Sequence, residues 1–231
     1  LDGQTYPSMQ DKYRSVIEQG KEMGVFTWLL FAESKPSSVL ALVKAHPDCA
    51  FILFCAAGDI TEAFMETAEG IYNLMLAVQY GEQTAEACAR LRKRGFLYSV
   101  YVPYKTEAVS EILNGSLLHS TENMHAVFTF LLPDLACPEA IQKSVYAYII
   151  DIRKKQNYLT FPMDVIHDNC FIDEIISDDG CIVGFNEKGQ MISFDGNKMQ
   201  EKYNLFKDSL QHIFKLALQK RGKEQQKQKA D

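Results

Sequence analysis

The chain has 231 residues and a formal net charge of −6 at pH 7, with 24 lysines and arginines against 30 aspartates and glutamates. That length buries a sizeable core as one α/β domain or a partial barrel, and the mildly acidic balance gives no argument for nucleic acid or an anionic membrane as partner. Six cysteines, at positions 49, 55, 88, 137, 170 and 181, form no C-x-x-C pair, which excludes a zinc ribbon and a thioredoxin-like site. Most of them lie in apolar runs, as reduced thiols do in cytosolic proteins, so the expected location is cytoplasmic. No apolar run has the length to span a bilayer, and no basic region with an apolar core opens the chain. The abrupt start at Leu1, without methionine, suits a fragment.

In chain order, Leu1-Asp2-Gly3 reads as the end of a strand or a βα loop. Met9 to Met23 is an amphipathic helix with Tyr13, Val16 and Ile17 on one side. Val25 to Ala32 is dense enough in apolar residues to predict a strand buried on both faces. Pro36 opens a short helix with Val39, Leu40 and Val43 inward, and His46-Pro47-Asp48 breaks it. Ala50 to Ala56 is the next strand, and Thr61 is the N-cap of a helix reaching Tyr72.

The stretch from Asn73 to Lys105 is the plainest unit: a strand through Leu74, Leu76 and Val78, then a helix from Glu82 to Arg94 with Ala85, Cys88, Ala89 and Leu91 on one face. Gly95 stops the helix, and a strand follows from Phe96 to Tyr104. A crossover of that length makes the two strands parallel. A helix from Thr106 to Asn114-Gly115, a strand from Met124 to Leu132, and a helix from Pro138 to Gln156 come next, with Ile141, Val145, Tyr148, Ile149 and Ile152 at helical spacing. A strand from Thr160 to Ile166 closes the alternation. Beyond it, 181–185 and 190–194 flank a glycine turn as a hairpin, Lys198 to Gln219 reads as a helix, and the Lys/Gln/Glu tail from Lys220 is expected to be disordered.

Six strands alternating with helices predict a parallel (β/α) barrel or partial barrel over 1–166. A small hairpin-plus-helix appendage over 167–219 and a tail over 220–231 complete it. An open doubly wound sheet is the alternative. In either architecture chemistry collects at the carboxyl ends of the strands. Asp59, Lys105 and Asp134 are the candidate catalytic groups, and Glu33, Ser34, Gly58, Gln79, Tyr80, Tyr104 and Asp164 the candidate ligand-binding ones. Acids, an amide, phenols and a lysine suit a small charged metabolite. The plain alternatives are that Asp59 and Asp134 cap helices and that Lys105 is a solvated loop residue. Among the histidines only His167, followed by Asp168 and Asn169, has a claim on the site. H-E-x-x-H, G-x-S-x-G, G-x-G-x-x-G and Walker motifs are absent from the sequence.

Leu1-Asp2-Gly3 followed by Asp11-Lys12-Tyr13-Arg14 and a helix ending in Lys21-Glu22-Met23-Gly24, together with the Cys181–Ile192 passage CIVGFNEKGQMI, resembles pieces of the radical S-adenosylmethionine superfamily. Ala57-Gly58-Asp59 stands where that resemblance implies a methionine-binding "GGE", and Ser193 stands near an expected cysteine of the carboxy-terminal extension. The defining C-x-x-x-C-x-x-C loop, whose thiolates hold a [4Fe-4S] cluster, is not in this sequence. The resemblance implies a fragment or cluster-less relative acting on a peptide or small metabolite, with S-adenosylmethionine and a cluster only if a preceding segment supplies the loop. A cluster-independent barrel enzyme and a non-catalytic metabolite-binding protein are the alternatives from the residues themselves.

Overall fold

In the computed structural model, which describes residues 9–32, 35–134, 136–155, 158–165, 184–186, 188–192 and 199–215, the chain divides into two units, Thr27–Asp168 and Leu1–Phe26 with Asn169–Asp231. The larger unit carries six parallel strands: β1 Thr27–Phe31, β2 Ala50–Cys55, β3 Leu74–Gln79, β4 Tyr98–Tyr104, β5 Phe128–Pro133 and β6 Phe161–Asp164. They pair strictly in chain order. A doubly wound sheet needs a reversal of strand order, and none occurs among the described residues.

The sheet is curled. Phe54 on β2 and Phe130 on β5 are three strands apart, about 14 Å in a flat sheet. Their ring centroids lie 5.4 Å apart. The result is a half-barrel whose edges are β1 and β6.

Strand alternation sorts the side chains onto two faces. Phe51, Leu53, Cys55, Leu76, Val78, Val100 and Val102 are buried on the helix-covered face, while Phe54, Met75, Ala77, Phe130 and Val165 form the inner core with Leu29, Ile52, Tyr101, Phe128, Leu132 and Met163 packed against it. The βαβ unit read from the sequence is present, with a helix over Thr84–Lys93 between β3 and β4. Its buried face is Thr84, Ala87, Cys88 and Leu91; Ala85 and Ala89 are exposed, so the helix is rotated from the expected face. The strand expected to be buried on both sides, β1, is an edge strand with exposed ends, because only β2 flanks it.

The remaining helices of this unit cover Leu40–Ala45, after a 3-10 turn Pro36–Val39, then Glu62–Ala68, Val109–Leu113, Ser116–Asn123 and Glu139–Lys155. With Met9–Glu22 as α1, these seven helices are α1, α2 (Leu40–Ala45), α3 (Glu62–Ala68), α4 (Thr84–Lys93), α5 (Val109–Leu113), α6 (Ser116–Asn123) and α7 (Glu139–Lys155). α3 ends before the expected Tyr72 because Gly70 takes φ +77. Gly115, at φ +82, stops α5 as expected, but α6 follows it directly and was not anticipated. The residues after α6 turn through His125 at φ 57, so β5 begins at Phe128 and not at Met124.

In the second unit β7 (Gly184–Phe185) and β8 (Gln190–Ile192) form the expected hairpin. Met199–Asn204, expected to be helical, is a strand, β9, paired antiparallel with β8. Helical backbone is described only over 210–215. Within this unit α1 packs on the carboxy-terminal segment: Tyr13 meets Phe206 edge-on at 5.3 Å, and the Leu210 amide donates to Gln19 Oε1 at 3.1 Å. Leu1-Asp2-Gly3, Glu33, Ser34, His167 to Asn169, Cys170, Cys181, Ser193 and the tail from Lys220 lie outside the described residues.

Candidate functional site

Which of the predicted side chains reach the carboxyl rim is decided by strand parity. On β4, Tyr98, Val100, Val102 and Tyr104 turn to the helices, which leaves Tyr101 and Pro103 for the inner side. Tyr104 is therefore fully buried, and its hydroxyl donates to Oδ2 of the equally buried Asp164 at 3.4 Å. Burial, with the charge of Asp164 beside it, holds the Tyr104 phenol well above the ordinary tyrosine range. Tyr80 also turns to the helices, its hydroxyl donating to Ser120 Oγ of α6 at 3.2 Å. These three residues build the wall of the half-barrel and do not line its opening.

Gln79, Tyr101 and Asp59 are brought together at the rim. Thr84 fixes the exit of β3: its hydroxyl donates to the Gln79 carbonyl at 2.7 Å and accepts from the Gly81 amide at 2.7 Å. Held there, Gln79 accepts through Oε1 from the Tyr101 hydroxyl at 3.1 Å. The Tyr101 ring lies edge-on to Phe54 at 5.2 Å, so the polar pair sits on the aromatic floor of the inner core. Burial, then the charges of Cys55 and Asp59, push the Tyr101 phenol up to about 12. At neutral pH it is a proton-bearing donor. Sequence reading missed Tyr101 because it took the last residue of each strand; the alternation of buried residues through Tyr98, Val100 and Val102 was the signal that would have found it.

Asp59 closes the turn Ala57–Asp59 after β2. The expected structural role for it was a helix cap, but Thr61 does that work, its Oγ1 accepting from the Phe64 amide at 3.2 Å. The Asp59 carboxylate is half-buried and, among the described residues, makes no hydrogen bond or ion pair. Its charge contributes, after burial, to raising the Cys55 thiol to about 12. Gly58 beside it is exposed and borders a hollow of about 310 Å³ with Thr61, Gln83 and Glu86.

Lys105 and Asp134 form a second group. Lys105 Nζ lies 3.6 Å from Asp134 Oδ2, with Pro103, Glu107 and Ala108 around a depression of about 430 Å³. The two oxygens of Asp134 are divided between roles. Oδ1 accepts from the Ala136 amide at 2.9 Å, a local turn contact, while Oδ2 faces the lysine.

Among the described residues no group of three histidine, cysteine, aspartate or glutamate side chains stands together to hold a metal ion. Cys49, Cys55, Cys88 and Cys137 are single, buried thiols. These residues do not fit an iron–sulfur cluster. No helix among them is long and apolar enough to cross a membrane. Searches of protein families, curated proteins and solved structures return no match.

Proposed function

We propose that the carboxyl rim of the half-barrel binds a small metabolite or peptide through an amino group, without an iron–sulfur cluster. The observation that carries this reading is the Asp59 carboxylate, half-buried and without a partner among the described residues. A carboxylate with no protein partner is open to a charge-assisted hydrogen bond from a cation, and a ligand ammonium is such a cation. Gln79 offers its amide and Tyr101 its hydroxyl to orient the polar group next to that ammonium, with the buried Phe54 ring supporting Tyr101 from beneath.

Lys105 and Asp134 are the acid–base or carbonyl-binding pair of this reading. The lysine is two-thirds exposed and tethered at one oxygen, free to swing onto a ligand carbonyl and donate a hydrogen bond or a proton. The sequential six-stranded half-barrel and the Ala57-Gly58-Asp59 turn at the end of β2 also support kinship with the radical S-adenosylmethionine superfamily, as a relative that works without the cluster.

A thermal-shift screen of the chain against amino acids, polyamines, short peptides and matched carboxylates lacking the amine tests the proposal. Stabilisation confined to amines supports it, and stabilisation by the amine-free carboxylates alone contradicts it. Lys105→Ala then separates catalysis from binding: it abolishes turnover of any ligand found to react and leaves the thermal shift in place. Anaerobic iron and sulfide reconstitution that produced cluster absorbance would contradict the cluster-less reading.

A further inference from the structure

In a βα unit the helices run back against the strands, so their carboxyl ends gather at the amino rim of the half-barrel, opposite the site above. Helix carboxyl ends favour basic residues. α4 ends in Arg92 and Lys93 and α7 in Lys154, all exposed. Several acids at this end are engaged: Glu69 pairs with Arg94 at 3.5 Å, Asp151 with Lys155 at 2.5 Å, and Glu122 accepts from the Leu159 amide at 2.8 Å, while Glu66 in the last turn of α3 stays exposed. Among the described residues Arg92, Lys93 and Lys154 have no ion-pair partner, so a chain that is acidic overall gathers unpaired cations at this end.

The same rim is apolar at its tips. The segments entering β3, β4, β5 and β6 each expose a large hydrophobic side chain: Tyr72 at 80 %, Leu97 at 54 %, Val127 at 43 % and Leu159 at 92 %. Backbone hydrogen bonds place Leu97 and Val127 on successive strand starts and tie Val127 to Phe161 at the start of β6, two residues after Leu159. Leu97 O accepts from Leu76 N, Val127 N donates to Tyr98 O, and Val127 O accepts from Phe161 N, at 3.1, 3.3 and 2.9 Å. Neighbouring exposed apolar residues of this kind mark an interaction surface.

Two features choose the occupant. Near-complete exposure of Leu159 and Tyr72 makes them protruding tips, where a groove for a partner helix would shield its lining residues on either side. The basic flank opposes a second copy docked by the same face and favours a negatively charged plane. We propose that the amino rim docks on an anionic lipid bilayer, the four apolar tips entering the interface while Arg92, Lys93 and Lys154 meet the headgroups. The whole-chain charge, from which no membrane partner was expected, does not register this segregation of charge by the fold.

The test is co-sedimentation of the full chain with vesicles of phosphatidylcholine alone or with one-third phosphatidylserine. Binding is expected only to the anionic vesicles and is lost at about 0.5 M salt, where screening is short-ranged. Arg92→Glu with Lys93→Glu and Lys154→Glu weakens it by roughly a hundredfold or more, because each basic side chain near an anionic surface contributes about fivefold. Leu159→Trp, at an almost fully exposed position, retains the native circular dichroism and shifts its emission to the blue on the anionic vesicles. Failure of the unmodified chain to sediment with them, equal binding to neutral vesicles, an unshifted Leu159→Trp emission, or retention on polyglutamate without vesicle binding each overturns the proposal, the last in favour of an acidic polypeptide.

Discussion

Replacing Phe54 with alanine removes the ring on which the curl of the sheet depends. Phe54 is 1 % exposed and meets Phe31 at 4.3 Å, Tyr101 at 5.2 Å and Phe130 at 5.4 Å, partners from β1, β4 and β5. A fully buried phenylalanine truncated to alanine costs about 4 kcal/mol, from lost transfer energy and the cavity left behind. Three aromatic contacts place it toward the upper half of the usual range. For a protein of this size that corresponds to a fall in Tm of about 10 °C. Phe31 supplies the control, since it stacks on the same ring but is 53 % exposed. Phe31→Ala is expected to cost about 1 kcal/mol, the share of its surface that is buried. Urea and thermal unfolding of both variants by circular dichroism measure the contrast. Equal losses, or a loss below about 1.5 kcal/mol for Phe54→Ala, would refute the closure of β2 onto β5 across the barrel interior.

Three further outcomes follow from the same contacts. Thr61→Ala deletes the N-cap of α3 and lowers stability by about 1 kcal/mol in urea unfolding, while Asp59→Asn, which caps nothing, leaves the midpoint within about 0.5 kcal/mol. Tyr104→Phe strips the buried Asp164 of a donor and costs about 1–3 kcal/mol, with ligand binding at the rim unchanged; a loss of binding without a loss of stability would return Tyr104 to the site. The thiols of Cys55 and Cys88 are raised by burial from 9.0 to about 12 and about 11. The folded chain keeps protons that the unfolded chain releases above pH 9, so this stability is complete below pH 9 and falls as pH rises toward 11. Each thiol contributes a slope of about 1.4 kcal/mol per pH unit, and urea midpoints measured from pH 7 to 10.5 would contradict this if they stayed level.

The alternation of strands and helices was legible because both periods are local. β3, α4 and β4 stand where an apolar run, a helical face and Gly95 place them. What was not legible depended on neighbours. Thr27–Phe31 has the composition of a central strand, yet its place at the sheet edge is set by the pairing order. Met199–Asn204 belongs by spacing to a helix through Tyr203, Phe206 and Leu210, but a strand partner seven or more residues upstream in β8 claims it. Backbone hydrogen bonding to an existing hairpin outweighs a weak helical preference.

At the rim the two aspartates carried the same two readings and diverged. Asp134 gives one oxygen to the Ala136 amide, as a turn residue does, and Asp59 cedes the cap to Thr61. The sequence separates them in part, because Thr61, two residues after Asp59, already reads as the N-cap of the following helix. Tyr101 and Tyr104 exchanged places for a related reason. A strand's last residue faces the opening or the helices by parity, and one residue of register reverses the answer.

The most direct test of the amine site is calorimetric titration of the best amine from the screen into the unmodified chain and into Asp59→Asn. The substitution, which keeps the shape and removes the charge, is expected to weaken binding by about tenfold or more, as for a charge-assisted contact. Equal affinity in the two proteins would contradict the amine site.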